Sequence, residues 1–180
     1  ISSLLNKYSY DEINSLDLSF VRFGRSASAA LAPETHKNFE TKFNIKMIET
    51  MGLTESCAPI LSNPLPPKKS KFGSPGIPYG NEVIIVDSEF NEVLRNTIGQ
   101  ICVKGKNVMK EYYKNPDETK KSFYKDWFLT GDLGLMDGEN YVFVKGRIKE
   151  LIIKGGENIS PREIDDILYQ HPAILEAAAF

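Results

Sequence analysis

Gly52-Leu53-Thr54-Glu55 brings three chemical capacities into four residues. Gly52 lets another backbone or a ligand come close, Thr54 offers a hydroxyl donor suited to a phosphate oxygen, and Glu55 offers a hard carboxylate suited to Mg2+. A Thr-Glu pair alone also reads as a solvated loop. Asp132 follows Thr130-Gly131 and has two readings: a turn residue accepting backbone N–H bonds, or a bidentate acceptor for two sugar hydroxyls. Ser26 to Ala30 carries almost no side-chain bulk, which suits either close approach by a ligand or tight internal packing. Arg147 and Lys149 precede an apolar run, Leu151 to Ile153, and Gly155-Gly156 follows it. A bare Gly-Gly also fits an ordinary β-loop-α connection. His36 and His171 are the only histidines. A His-ligated metal or a Ser-His-Asp triad would need one of them, and neither has a suggestive setting; His36 reads as a partly buried packing residue.

These side chains need elements to position them. The Ser9-to-Glu12 spacing predicts a capped helix over Tyr10 to Ser15. Leu18 to Phe23 alternates and predicts a strand. Pro33 opens a helix to about Phe43 with His36, Phe39 and Phe43 on one face, and Lys46 to Thr50 predicts a second strand. Strand, small-residue loop, helix, strand is the rhythm of a parallel α/β sheet, whose ligands bind beyond the C-terminal strand ends. The Ser26–Ala30 and Met51–Glu55 loops both fall at such ends, so one site should lie across both. Ser62 to Pro78 is rich in Pro, Lys, Ser and Gly and reads as a surface loop, with Lys68 and Lys69 solvated. Val83 to Val86, Ile101 to Val103, a strand ending at Trp127–Asp132, and Tyr141 to Val144 predict a small antiparallel sheet or barrel. A helix starting at Asn115-Pro116 is inserted into it. Ser160 stands as N-cap, Pro161 as first helical residue and Glu163 as capping-box partner. The helix they open should turn Ile164, Ile167 and Leu168 inward, stop at Pro172, and lead to a strand over Ala177–Phe180.

The 180 residues carry a formal net charge of -2, without the basic excess expected of a nucleic-acid binder. No apolar run is long enough to span a membrane. Cys57 and Cys102 are isolated, which suits reduced cytoplasmic thiols better than a disulfide framework. The start at Ile1 without Met, and the stop inside an apolar run, read as a piece of a longer polypeptide.

The string from Gly146 to Asp165, G-R-I-K-E-L-I-I-K-G-G-E-N-I-S-P-R-E-I-D, resembles the hinge region of AMP-forming acyl-CoA synthetases in the adenylate-forming superfamily. Thr50 to Glu55 resembles that family's Y-G-x-T-E motif, with Met51 in place of the Tyr that packs on adenine. Ser28-Ala29-Ala30 resembles its G-A-P segment, Thr130-Gly131-Asp132 its T-G-D motif, and Gly99 to Tyr113 its G-E-x-x-V-x-G…Y stretch with Gln100 for Glu. The resemblance implies two half-reactions: a carboxylic acid and ATP give acyl-AMP and pyrophosphate, then the thiol of coenzyme A takes the acyl group and releases AMP. It implies that Thr54 and Glu55 are catalytic, with Mg2+ on Glu55. Ser28, Ala29, Ala30, Thr50, Met51, Gly52, Thr54, Asp132 and Arg147 would bind nucleotide. Lys149 would be the hinge, and Gly155 and Gly156 the loop of the thioester step. The implied fold is α/β plus β: residues 1–70 end a parallel α/β subdomain, 71–147 form a β-barrel-like subdomain, and 148–180 begin a mobile α+β C-terminal domain. The phosphate loop would lie upstream of Ile1 and the adenylation lysine downstream of Phe180, so the isolated chain is expected to be inactive. Lys149 and G-G-E-N look like the acyl-CoA branch, with fatty acid metabolism as its setting. A fatty-acyl-AMP ligase, another adenylation domain and a non-catalytic nucleotide-binding module are the alternatives.

Overall fold

The computed structural model describes residues 1–57, 59–171, 173–174 and 177–180. Two short helices open the chain, α1 (Ser2–Lys7) and α2 (Tyr10–Asn14). Ser9 caps α2: its Oγ accepts from Glu12 N, and Glu12 Oε2 accepts from Ser9 N at 2.7 Å, the reciprocal box that the sequence spacing predicts. Next come β1 (Gly24–Ser26), α3 (Pro33–Phe43) and β2 (Met47–Gly52). The strand expected over Leu18–Phe23 does not form. Phe20 is 78% exposed, and only Gly24–Ser26 reaches β2, in parallel register from Gly24↔Met47 to Ser26↔Glu49. Alternating bulky residues make no strand without a neighbour to pair with.

Helix α3 starts on Pro33, whose missing N–H the first turn does not need, and ends on left-handed Asn44. It buries His36 and Phe39, and Phe39 packs with Leu31 and Met47. His36 is fully buried rather than partly so. Its Nε2 lies 3.2 Å from the Met47 carbonyl oxygen and its ring meets Phe72 edge-on at 4.6 Å.

A 3-10 turn over Thr54–Ser56 leads to β3 (Pro59–Ser62) and then to β4 (Ile77–Pro78). The first sheet is therefore mixed, in the order β1-β2-β3-β4, parallel only at β1–β2. The second sheet is antiparallel and is formed by β5 (Glu82–Val86), β6 (Gly99–Lys104), β7 (Phe123–Tyr124), β8 (Trp127–Met136) and β9 (Val142–Arg147), with helix α4 (Pro116–Lys121) inserted before β7. Ile60 and Leu61 of β3 pack with Val83, Ile85, Ile101, Val103, Met136 and Val142. Each such fully buried aliphatic side chain contributes about 1.5–3 kcal/mol, so the two sheets share their main core.

Two expectations fail in this region. Strand β8 does not end at Asp132 but runs on to Met136. Gly131 at φ +76 and a register shift between Leu133 and Gly134 let it pass through the Thr-Gly-Asp segment. The stretch from Ser62 to Pro78 is not simply a surface loop. Asn63 Nδ2 donates to the carbonyls of Glu49 (3.2 Å) and Ser74 (2.6 Å), and Ser74 Oγ donates to the Val142 carbonyl at 2.6 Å. Both side chains are buried, so the loop stitches β2 to β9.

After β9, a 3-10 turn over Ile148–Glu150 leads to a hairpin of β10 (Ile152–Lys154) and β11 (Glu157–Ile159), then to α5 (Pro161–Leu168). Gly155 and Gly156 both have positive φ, 62° and 88°, as a two-residue hairpin turn requires. The β-loop-α connection that Gly155-Gly156 also fitted is thus a hairpin, with Glu157–Ile159 as its second strand. Ser160 makes no side-chain cap; its Oγ donates instead to the Lys145 carbonyl. That tertiary bond orients the hydroxyl towards β9, and the oxygen accepts nothing from the first turn. Ile167 and Leu168 are 66% and 36% exposed, against the inward orientation expected; α5 packs on β9 without covering them. The helix stop expected at Pro172 lies outside the described residues. Ala177–Phe180 pairs with no strand among the described residues. No helix among the described residues is long and apolar enough to cross a membrane.

Candidate nucleotide site

Because β1 and β2 run parallel, the chain leaves both at the same end, and the segments after them converge. With β8 and β9 they enclose a cavity of about 460 Å3. Ser28, Ala29, Ala30, Thr50, Met51, Gly52, Asp132 and Arg147 all line it. Sequence positions more than a hundred residues apart thus meet as expected. Ser28 holds a left-handed backbone, φ 74°, which costs a non-glycine residue on the order of 1 kcal/mol. The small-residue loop is therefore bent at the cavity. Met51 is half-buried and packs on the main core while reaching the cavity wall.

Asp132 and Arg147 are cross-strand partners on β8 and β9. Arg147 Nε donates to Asp132 Oδ1 at 3.0 Å. Asp132 is 4% exposed, and its Oδ2 is buried without a hydrogen-bond partner. Burial pushes this carboxyl above the usual carboxylate range, with Arg147 pulling the other way. An unpaired buried carboxylate oxygen is costly, and at a cavity wall it is an acceptor waiting for a donor. The turn-residue reading of Asp132 fits less well, since its carboxylate is spent on Arg147 and not on backbone N–H groups.

The remaining predicted residues stand apart from this cavity. Thr54 is exposed in the 3-10 turn after Gly52. Glu55 is half-buried; Tyr112 Oη donates to its Oε1 at 2.7 Å, and its carbonyl accepts from Met109 N. Lys149 is exposed in the turn after β9, and Gly155 and Gly156 are exposed at the hairpin tip.

Sequence reasoning missed Glu49, Arg162 and Asp165, which also line the cavity. Glu49 is 3% exposed; its Oε1 accepts from Leu31 N at 3.2 Å and its Oε2 is unpaired. Burial pushes its carboxyl up, opposed by the Leu31 N–H and by Arg162. An acid inside the apolar strand M-I-E-T-M was the available signal, because a strand buried on both faces leaves a carboxylate nowhere to reach water.

Residues 2–113 match the family described as AMP-binding enzyme. A sulfoacetate–CoA ligase of Cupriavidus necator is 52% identical over 160 residues, covering 88% of this chain and 31% of that protein. An oxalate–CoA ligase of Saccharomyces cerevisiae is 44% identical, covering 89% of this chain and 30% of that protein. Among solved structures, the anthranilate CoA ligase AuaEII in complex with anthranoyl-AMP superposes with a TM-score of 0.82 at 30% identity, over 94% of this chain and 34% of that one. The O-succinylbenzoate coenzyme A synthetase of Bacillus subtilis, in complex with ATP and magnesium ion, gives 0.81 at 32% identity, over 98% and 36%. The chain thus spans about a third of the length of these relatives. With the family match covering more than half of its residues, the chain belongs to the AMP-binding enzyme family.

Proposed function

We propose that this chain is part of an acid–CoA ligase that activates a carboxylic acid with ATP to acyl-AMP and passes the acyl group to coenzyme A. The observation that carries the reading is the buried, unpaired Asp132 Oδ2 beside Arg147 in a cavity also lined by the Ser28–Ala30 and Thr50–Gly52 segments. Asp132 would accept both ribose hydroxyls, with Arg147 holding the carboxylate in place. The low bulk of Ser28-Ala29-Ala30 lets the nucleotide lie against backbone, and Met51 offers a polarizable face to the base. Thr54 would donate to the α-phosphate. Among the described residues no three His, Cys, Asp or Glu groups cluster around an ion site. Mg2+ held with substrate phosphates needs only one or two carboxylates, so Glu55 fits the part, its position fixed by Tyr112. Bound there, the ion would neutralise charge on the transferring phosphate.

In this reading residues 1–70 and 71–147 belong to the nucleotide-binding part and 148–180 begin a mobile domain hinged at Lys149. Among the described residues β10 and β11 pair with each other and with no other strand, which supports that division. Gly155-Gly156 would enter the site in the thioester step. The acid is a short one bearing a second anionic group, as the names sulfoacetate–CoA ligase and oxalate–CoA ligase suggest. A fatty acid is the second reading, favoured by a long-chain-fatty-acid–CoA ligase of Bacillus subtilis at 38% identity. The free thiols of Cys57 and Cys102 suit a reducing, cytoplasmic setting.

The test is a screen of carboxylic acids for pyrophosphate release by the full-length protein, followed by thioester formation with coenzyme A. Release with a short dianionic acid and then thioester confirms the reading. Acyl-AMP without thioester would make it an acyl-AMP ligase, and nucleotide binding without release a binding module.

A further inference from the structure

We propose that a second, lysine-lined cavity beside the Glu55 turn binds the phosphates of a polyphosphorylated ligand, supplied either by the nucleotide end of coenzyme A or by pyrophosphate. The inference rests on the ligase reading above. The cavity measures about 800 Å3 and shares no lining residue with the nucleotide cavity. Lys104 of β6, Lys106 and Lys110 of the loop after it, Lys120 of α4 and Lys125 of the turn between β7 and β8 all line it. The loop that forms one wall is tied to the turn carrying Glu55. Asn107 Nδ2 donates to the Ser56 carbonyl at 2.8 Å, and Met109 N donates to the Glu55 carbonyl at 2.6 Å. Three residues on, Tyr112 Oη holds the Glu55 carboxylate at 2.7 Å. A ligand in this cavity would thus lie against the segment that fixes Glu55.

Most of the positive charge here is uncommitted. The two carboxylates of the lining both stand beside Lys104: Asp126 Oδ2 lies 3.2 Å from Lys104 Nζ, and Glu82 is the cross-strand partner of Lys104. Among the described residues no Asp or Glu pairs with Lys106, Lys110, Lys120 or Lys125. Gathering these cations around one cavity costs self-repulsion, in a chain whose net charge is -2. A ligand with several phosphate groups would relieve it, whereas one carboxylate could engage only part of the set. Val108, Met109 and Phe123 are half-buried in the same lining. An apolar and aromatic floor beside ammonium groups suits a purine face next to phosphates, the chemistry at the nucleotide end of coenzyme A. Pyrophosphate would use the lysines alone. Both ligands belong to the proposed reaction, in which pyrophosphate is released and coenzyme A then arrives.

The experiment uses the full-length ligase with Lys106→Gln, Lys110→Gln and Lys120→Gln, singly and combined. All three lysines are exposed and none lines the nucleotide cavity, so the fold should survive. Thioester formation from pre-formed acyl-AMP is measured with coenzyme A and with its 3′-dephospho form, and pyrophosphate is titrated as an inhibitor. If coenzyme A is the ligand, each single change should raise its KM about 2- to 5-fold and the triple change about 10- to 100-fold. The kcat and the KM for ATP should not move. The advantage of coenzyme A over the dephospho form should shrink in the triple variant, which a loss of fold would not produce. If pyrophosphate is the ligand, its inhibition should weaken by the same factors while the KM for coenzyme A stays. Either effect should fade as salt rises. A triple variant with the wild-type KM for coenzyme A and wild-type inhibition by pyrophosphate would overturn the assignment and leave the ligase reading intact. A wild type that forms no acyl-AMP or thioester with any acid would remove the ligase reading. Calorimetric titration of coenzyme A and of pyrophosphate then decides the site by itself: binding lost in the triple variant supports it, and equal binding or none overturns it.

Discussion

In the proposed reading, replacing Asp132 by Ala removes the carboxylate that would hold the ribose. Its Oδ2 is buried without a partner and its Oδ1 is held by Arg147 at 3.0 Å. Hydrogen bonds to a charged acceptor are worth about 1.5–3 kcal/mol in a buried site. For the bidentate pair, less what the carboxylate loses by being held buried, a net loss on the order of 2–3 kcal/mol follows. That corresponds to a roughly 30- to 150-fold weaker ATP affinity. The fold should survive. The Arg147 side chain is 56% exposed, so losing that pair costs about 0–1 kcal/mol, and removing a half-paired buried carboxylate offsets part of it. The assay is acid-dependent pyrophosphate exchange in the full-length enzyme, with thermal melting as the fold control. Both half-reactions should weaken, because nucleotide is bound in both. Asp132→Asn, which keeps shape and one neutral acceptor, should fall between. Wild-type ATP affinity in the Ala variant, with an unchanged melting temperature, would remove Asp132 from the nucleotide site and leave its buried oxygen unexplained.

Three further outcomes follow from other residues. Glu55→Gln keeps shape and removes charge, so adenylation should slow and the Mg2+ needed for half-maximal rate should rise; an identical Mg2+ titration would return Glu55 to a structural partner of Tyr112. Lys149→Pro fixes φ near -65° and restricts Ile148, so it should largely stop one half-reaction, the thioester step, and spare the other. Equal loss in both, or in neither, would move the pivot elsewhere. Burial raises the folded-state pKa of Glu49 above its unfolded value. Its protonated form therefore contributes stability that is full below the unfolded pKa, about 4.3, and is lost as pH rises through the folded value. Glu49→Gln should gain melting temperature relative to the wild type as pH rises from 4 towards 8, and a constant difference across that range would mean that Glu49 does not titrate there.

Elements with local determinants were legible in the sequence. Pro33 and the spacing of His36 and Phe39 define α3 at both ends as expected, and the Ser9–Glu12 box forms as written. The cavity was legible in part: of the loops expected at the strand ends, residues 28–30 and 51–53 line it, while Thr54 and Glu55 stand apart. What failed depended on distant partners. Ser160 had every local feature of a cap, but its hydroxyl is oriented to donate to the distant Lys145 carbonyl and its oxygen accepts no bond from the first turn. Leu18–Phe23 had the alternation of a strand, but β2 pairs with the next three residues instead. The role of Asn63 and Ser74 could not be read from a Pro-rich stretch, since their partners Glu49 and Val142 lie on two different sheets.

That last bridge bears on how the cavity can open. Asn63 N also donates to the Glu49 carbonyl, and Val142 N to the Gly76 carbonyl. A Cβ on Gly76 would come within 2.0 Å of the Ser62 backbone, so the two chain segments are in direct contact at the crossing. Lifting β2 away from β9 would strand several buried polar groups at once, each at about 1–3 kcal/mol. In hydrogen-exchange terms the amides of Asn63 and Val142 should belong to one cooperative unit and open only with the whole core. The β2 and β9 walls of the cavity should then stay together while a ligand leaves. Residence time in the cavity would then depend on the segment beyond Arg147, which is held to β9 by the Ser160 hydroxyl on the Lys145 carbonyl and by the packing of α5.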